Sequence, residues 1–254
     1  MTYASSSKFR LDDEALVQLN QTTNVIKENY IRAKAIISVG VVSTERHLGA
    51  STLAINLTKF LSELSNTTAC YIEYNNHKLI ESLEGAKGTV VYKDIGKLNY
   101  NGIDMYYYPD STANIQKYGY EFYIYDFGSF EELTADQKDN FLNKDLKILI
   151  SGSKAWEEIK LLNTLYEIAD ADNICCYLNF VPEETQNDVR KYWGALNNNV
   201  NLYFMNLTYN PFEVKNQATF NVLMKEYLHE SIIVEEKSKG IKGLFRKDKK
   251  NKGG

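Results

Sequence analysis

The chain has 254 residues, a length that suits one large α/β domain or two small ones, with an ordinary globular composition of 44% hydrophobic and 24% charged residues. No apolar run approaches the roughly 18 residues needed to cross a bilayer, and the stretch MTYASSSKFRLDDE lacks the apolar centre expected of a secretory signal. The three cysteines form neither a C-x-x-C pair nor a zinc spacing, which excludes the common cysteine-based metal and redox motifs.

The net charge of −4 is unevenly distributed along the chain. Residues 237–252 hold eight basic residues against Asp248, a local charge of +7 that leaves −11 for the remainder. An acidic body repels nucleic acid and confines any attraction of that kind to the basic segment.

The first predicted element is a helix over residues 12–33. Residues at alternating spacings of three and four form its apolar seam, namely Leu16, Leu19, Thr23, Ile26 and Tyr30. Such a helix either packs on the domain's own sheet or docks on a partner or a second copy, and the sequence leaves these alternatives open.

A strand, a loop and a helix follow. An apolar run over 35–42 predicts a buried strand, residues 43–49 are polar, and apolar residues at helical spacing begin after Ala50. This is the geometry of a phosphate-binding loop, in which backbone N–H groups and a helix N-terminus attract an anion. In the pattern G-x-x-x-x-G-K-[S/T], Gly49 takes the second glycine, Ala50 the lysine and Ser51 the magnesium-binding hydroxyl. With one glycine, the loop has reduced freedom to adopt positive φ.

The rest of the chain alternates between strands and helices. We predict strands over 67–74, 89–92, 103–108, 122–127, 146–151, 174–180 and 202–207, and helices over 78–87, 153–168, 183–193 and 217–229. Asn101-Gly102 is a turn signal. This alternation predicts an α/β fold, a mostly parallel sheet with helices on both faces in three layers.

A carboxylate is predicted at the end of one buried strand, where Asp126 closes the run FYIYD. The carboxyl ends of parallel strands form the edge of the sheet at which ligands bind. In phosphate-loop nucleotidases, an aspartate at this position holds magnesium through water.

We expect three segments along the chain. Residues 1–34 form an N-terminal extension with a helix, and residues 35–232 form the α/β domain. Residues 233–254 form a basic segment that is either disordered or an amphipathic helix.

Between residues 35 and 230, the order of elements and motifs resembles the ParA/MinD-like group of phosphate-loop NTPases. That group carries a deviant loop, K-G-G-x-G-K-[S/T], and the matching stretch here is Glu45-Arg46-His47-Leu48-Gly49-Ala50-Ser51. Both lysines of the group's loop are therefore replaced, and the group's D-x-D is Glu73-Tyr74-Asn75.

The resemblance implies a site for ATP and Mg. The cofactor-binding residues would be Arg46, Gly49, Ala50, Ser51, Thr52 and Asp126, of which Ser51 and Asp126 would also hold the metal. Losing one charge-assisted phosphate contact costs about 1.5–3 kcal/mol. We therefore expect weak or absent hydrolysis with Glu45 and Ala50 at the lysine positions, unless Arg46 turns inward as a substitute cation.

The basic segment surrounds three apolar residues, Ile241, Leu244 and Phe245, with lysines. It is similar in kind to the short amphipathic membrane-targeting helix at the end of MinD-type proteins. Each basic residue near an anionic bilayer contributes about 1 kcal/mol, and a dimer with two such segments would bind more tightly than a monomer. The alternatives are a solvated, disordered segment and a site for nucleic acid or an acidic partner.

Three functions remain open. The one we favour is a degenerate ParA/MinD-like scaffold or positioning factor that holds a protein partner at an anionic membrane surface through Lys237–Lys252. The second is an atypical but active ATPase that uses Gly49, Ser51 and Asp126. The third is a DNA-partitioning protein, against which the acidic body argues. We expect a cytoplasmic homodimer at the inner face of the cell membrane, and we do not expect nucleic acid as its partner.

Overall fold

The computed structural model describes residues 36–64, 67–107, 113–169, 171–196, 201–205, 210–225 and 227. The helix predicted over 12–33 and the basic segment over 233–254 lie outside these residues. The division of the chain into three segments therefore stays a prediction.

The described residues form nine strands and seven α-helices. The strands are β1 (Ile37–Ser43), β2 (Ala69–Glu73), β3 (Val90–Tyr92), β4 (Lys97–Tyr100), β5 (Ile103–Tyr106), β6 (Phe122–Ser129), β7 (Leu146–Ser151), β8 (Ile174–Leu178) and β9 (Asn201–Phe204). The helices are α1 (Ala50–Glu63), α2 (Leu79–Leu83), α3 (Ala113–Gln116), α4 (Ala135–Leu142), α5 (Ala155–Glu167), α6 (Gln186–Leu196) and α7 (Gln217–Leu223).

The strands form one sheet in the order β3-β4-β5-β2-β6-β1-β7-β8-β9. Six neighbouring pairs, from β5-β2 to β8-β9, run parallel, and only β3-β4 and β4-β5 are antiparallel. The mostly parallel α/β sheet predicted from the sequence is thereby confirmed. The phosphate-loop strand β1 lies between β6 and β7, so the loop after it adjoins the ends of both neighbours.

Helices cover both faces of the sheet, as predicted. One core cluster joins α1 and α7 to one face, through residues such as Leu53, Leu57 and Phe220. The other cluster joins α4, α5 and α6 to the opposite face, through Phe141, Leu161 and Trp193. The strands between them are buried on both sides, which is why they appear in the sequence as nearly continuous apolar runs.

Several element bounds differ from the prediction. Strand β6 continues through Asp126 to Ser129, because Gly128 at φ 73° and an irregularity in its pairing with β1 carry the strand further. The predicted turn at Asn101-Gly102 is present, with both residues at positive φ, but strand β4 before it was missed. Helix α4 was also missed. Helix α6 begins three residues late, after the 3₁₀ turn Glu183–Thr185.

Within the described part of the chain, no helix combines the length and the apolar character needed to pass through a bilayer.

Gly40 lets α4 approach the centre of the sheet. A methyl group added there would lie 2.8 Å from Cδ2 of Phe141, which is fully buried. We predict that Gly40→Ala lowers the free energy of unfolding by about 1–3 kcal/mol, because the aromatic ring has no room to yield. Urea unfolding followed by circular dichroism measures the change.

The matched control is Gly194→Ala in helix α6, where an added methyl group meets no described atom within 4 Å. There the same substitution should raise stability by about 0.4–1 kcal/mol, since alanine restricts the unfolded chain. Equal effects at the two positions would contradict the close packing of α4 on β1.

Candidate functional site

The loop between β1 and α1 turns into the helix at a glycine in the left-handed region. Gly49 has φ 100° and immediately precedes helix α1, whose first turn contains Ala50, Ser51 and Thr52. The first N–H groups of a helix have no partner within it, so they face the loop with positive potential. His47 also has positive φ, at 65°, although it is not glycine. The loop was expected to have little freedom for positive φ with only one glycine, but His47 adopts positive φ in addition to Gly49.

Neighbouring strands hold this loop through hydrogen bonds. The Thr44 amide donates to the Ile150 carbonyl at 2.8 Å, and the Ser43 hydroxyl lies 3.0 Å from the Gly128 carbonyl. On the other side, the Asn179 side chain donates to the Leu48 carbonyl at 2.9 Å. The loop is thus fixed to β6, β7 and the end of β8 by contacts that need no ligand.

Asp126 is fully buried, and both of its carboxylate oxygens accept hydrogen bonds from the protein. The Tyr71 hydroxyl donates to Oδ2 at 2.7 Å, and the Gly128 amide donates to Oδ1 at 3.0 Å. The pairing of β2 with β6 explains the first contact, because Tyr71 lies opposite Ile124 and on the same face of the sheet as Asp126.

The Tyr71 hydroxyl also interacts with the side chain of Ser51. Burial, followed by the charge of Asp126, raises the pKa of Tyr71 well above its usual value, and the contact with Ser51 opposes this increase. Tyr71 is therefore neutral at physiological pH, with a single proton that it donates to Asp126.

The two expected metal ligands, Ser51 and Asp126, are thus brought together, with the Tyr71 hydroxyl between them. Mg²⁺ requires oxygen ligands in near-ideal octahedral geometry at about 2.0–2.1 Å. Each Asp126 oxygen already accepts one hydrogen bond but keeps a second lone pair, whereas a tyrosine oxygen that keeps its proton is a poor ligand. A magnesium ion bound directly to both Ser51 and Asp126 would therefore have to displace the Tyr71 hydroxyl.

Two cations lie beside the loop, and both pair with carboxylates. Arg46 contacts Glu132, and Lys160 of helix α5 contacts Glu45 at 2.5 Å and Glu131 at 3.3 Å. The hydrogen bond to Glu45 raises the pKa of Lys160. Although desolvation opposes the change, hydrogen bonds from Arg46 and His77 lower the pKa of Glu132. Position 50, where the phosphate-loop pattern has lysine, holds a buried alanine.

The acidic position after β2 also has a partner within the protein. The Glu73 carboxylate accepts hydrogen bonds from the amides of Leu79 at 2.5 Å and Ile80 at 3.1 Å, at the start of α2. Burial raises the pKa of Glu73, and these two amide bonds oppose the increase. The side chain of Asn75 donates to the Asp126 carbonyl at 2.9 Å. Glu73 therefore connects the end of β2 to helix α2, and Asn75 connects it to strand β6.

Gly49, Ala50, Ser51, Thr52 and Asp126 thus lie around the start of α1 as the sequence predicts, while Arg46 pairs with Glu132 on the exposed side of the loop. Sequence reasoning missed Tyr71 and Lys160. Tyr71 stands in an apolar run that predicts only a buried strand. Lys160 lies 115 residues from Glu45, and no local pattern in the sequence indicates that contact.

No protein-family model matches the sequence. A search of curated proteins likewise gives no match.

Solved structures do match the chain. A plasmid partition protein from Borrelia burgdorferi has 13% sequence identity and a TM-score of 0.53, with 77% of this chain and 99% of that chain covered. A putative plasmid partition protein from Borrelia burgdorferi B31, bound to AMPPNP, has 14% identity and a TM-score of 0.52, with 76% and 99% covered. The MinD cell division protein of Aquifex aeolicus has 14% identity and a TM-score of 0.50, with 79% and 90% covered.

At identities this low, the likeness concerns the fold alone. The order of strands, the loop between β1 and α1, and the matches to the plasmid partition and MinD structures lead to one conclusion: the chain has the ParA/MinD-like phosphate-loop NTPase fold.

Proposed function

We propose that this protein uses the ParA/MinD-like fold as a binding scaffold and does not hydrolyse ATP. The observation that carries the proposal is the chain of contacts from Ser51 through the Tyr71 hydroxyl to Asp126. In a nucleotidase of this fold, a divalent cation would neutralise charge beside this aspartate. In this chain, the neutral Tyr71 hydroxyl is the group that contacts both Asp126 and Ser51.

The charges around the loop support the same conclusion. ATP brings several negative charges, while Ala50 supplies no cation and Glu45 adds a carboxylate. Arg46 and Lys160 are engaged with Glu132, Glu45 and Glu131, so using either of them for a phosphate would first require breaking an ion pair. Removing charge stabilisation around a transferring phosphoryl group commonly slows the reaction by about 10²–10³-fold or more.

An active ATPase remains the second candidate, because the first-turn N–H groups of α1 are arranged as in a phosphate-binding loop. One similar structure, the putative plasmid partition protein, is bound to AMPPNP. In this chain, such an activity would need Arg46 to leave Glu132 and turn toward the phosphates. Asp126 would also have to exchange the Tyr71 hydroxyl for a metal ion. These two requirements make the scaffold the better-supported function.

The proposed scaffold would act at an anionic membrane surface, where it would hold or position a protein partner. The sequence of residues 237–252 supports this, with its local charge of +7 and its apolar residues Ile241, Leu244 and Phe245. Electrostatic attraction to anionic lipid and insertion of the three apolar side chains would act together.

The first prediction concerns nucleotide. Isothermal titration of the full chain with ATP should give no magnesium-dependent binding in the micromolar range, and a phosphate-release assay should show no turnover above background. Asp126→Asn should leave both results unchanged, because no metal step depends on the carboxylate. Micromolar binding with magnesium, together with hydrolysis that Asp126→Asn abolishes, would instead establish the ATPase.

The second prediction concerns Tyr71→Phe, which keeps the ring and removes the hydroxyl. The free energy of unfolding should fall by about 1.5–3 kcal/mol, because the buried carboxylate of Asp126 loses one of its two donors.

The control for this variant is Tyr123→Phe. The Tyr123 hydroxyl donates to the Gln116 carbonyl at 3.2 Å, so the control loses one neutral hydrogen bond, which costs about 0.5–1.5 kcal/mol. Urea unfolding followed by circular dichroism measures the two variants. Identical losses for both variants would remove the special role of Tyr71.

The third prediction concerns the basic segment. Deletion of residues 237–254 should abolish co-sedimentation with vesicles that contain anionic phosphatidylserine, and binding by the full chain should weaken as salt increases. Replacing Ile241, Leu244 and Phe245 with serine keeps the charge and should weaken binding without abolishing it. Duplex DNA tested in parallel identifies the alternative partner. Binding to DNA but not to vesicles would reject the membrane proposal.

A further inference from the structure

Helix α5 carries apolar side chains on its outer face as well as on its inner one. Trp156 is 61% exposed, Ile159 is 59% exposed and Tyr166 is 80% exposed. Leu161 and Leu165, on the inner face of the same helix, are buried against the sheet. A helix that needed only to cover the sheet would carry polar residues outside.

The three exposed residues form one stripe. At 100° per residue, Trp156, Ile159, Asn163 and Tyr166 fall within about 80° of arc, and the stripe extends over ten residues or about 15 Å. The Lys154 ammonium lies 5.4 Å from the centre of the Trp156 ring at the first end of the stripe. Trp and Tyr are the side chains most enriched where proteins contact one another. This arrangement is typical of a helix face that packs against another protein surface.

We propose that this stripe is the contact surface between two copies of the chain, with the two α5 helices packed antiparallel. In that arrangement, Trp156 of one copy packs against Tyr166 of the second copy at both ends of the contact. Ile159 and Asn163 lie between these ends. Each end of the stripe then meets the opposite end, so one surface complements itself, as a two-fold interface requires.

The charges at the two ends support a second copy as the occupant. Lys154 lies at the Trp156 end with its side chain 58% exposed, and Glu167 lies at the Tyr166 end, 53% exposed. Each already has one partner within the protomer, Glu157 for Lys154 and Lys138 for Glu167, yet both remain more than half open to solvent. Antiparallel pairing brings the positive end of each helix to the negative end of the other.

The available area indicates a contact of modest strength. With about 150–250 Å² for each aromatic side chain, the exposed parts of Trp156 and Tyr166 supply roughly 200–350 Å² per copy. A standard interface buries about 800 Å² per partner, so these residues would form its centre and their neighbours its rim. We therefore expect a dimer that dissociates in the micromolar range.

This contact does not depend on the proposed loss of ATP hydrolysis, because α5 packs there through its outer face and no loop residue takes part. It would give each assembly two basic segments. Two linked segments raise the effective concentration at a membrane, so even a modest dimer would increase its affinity for the surface.

Sedimentation velocity of the full chain between 1 and 100 µM tests the proposal. The wild type should shift from monomer to dimer over this range, and Trp156→Glu together with Tyr166→Glu should raise the dissociation constant at least tenfold. The control is Val222→Glu in α7, a similarly exposed apolar residue on the opposite face of the sheet, which should leave the dimer unchanged. A wild type that stays monomeric, or a dimer that survives the double substitution, would overturn the proposal.

Cysteine cross-linking locates the contact independently of any loss of folding. The native residues Cys70, Cys175 and Cys176 are buried, so they compete little for a maleimide reagent. Asn163→Cys should give a covalent dimer with a short bismaleimide, whereas the exposed control Asn221→Cys in α7 should not. Equal yields from the two variants, or no product from Asn163→Cys at a concentration where the dimer forms, would exclude antiparallel packing of α5.

Discussion

A buried carboxylate must have donors, and in this structure the donor that matters most is the hydroxyl of Tyr71. Asp126 lies wholly inside the protein, where an unpaired charge would cost several kcal/mol. Tyr71 and the Gly128 amide supply these donors from within the protein. Because the Tyr71 hydroxyl also interacts with Ser51, it connects the strand that carries Asp126 to the start of helix α1 without any ligand.

The ion pairs around the loop have a different role, because exposed pairs contribute little stability individually. These ion pairs determine where the two cations lie relative to the loop. Glu132 holds Arg46 on the outer side of the loop, and Glu45 and Glu131 hold Lys160 beside it, so the positive charges nearest the helix N-terminus face carboxylates. The N–H groups at the start of α1 thus supply positive potential beside the loop, while the neighbouring Arg46 and Lys160 are engaged with carboxylates.

The part of the fold that depends on local pattern was predictable. Apolar runs identified β1, β2, β6 and β7, and helical spacing located the start of α1 at Ala50. Strand β4 was missed because its sequence, KLNY, has a single fully buried residue, Leu98. Helix α4 was missed for the same reason, since Phe141 is its only buried residue. Neither segment carries the periodic apolar signal on which the prediction depends.

The site shows the complementary limit of sequence reasoning. Gly49, Ser51 and Asp126 could be placed together because a phosphate-loop pattern specifies them, but Tyr71 belongs to no pattern. Its role follows from the register of β2 against β6, which brings residues 55 positions apart within hydrogen-bonding distance. A tyrosine inside an apolar strand gives no sign of where its hydroxyl lies. The contact between Tyr71 and Asp126 can therefore be recognised only once strand order and register are known.

Helix α5 carries residues of two surfaces, the ion pairs beside the loop and the exposed apolar stripe. Lys160 holds the loop on one flank of the helix, and Ile159, its neighbour in sequence, lies on the outer stripe. Consecutive side chains of a helix lie about 100° apart, so the ion pairs beside the loop and the exposed stripe occupy separate flanks of α5. A second copy seated on the outer stripe would therefore leave the contacts of Lys160 with Glu45 and Glu131 in place.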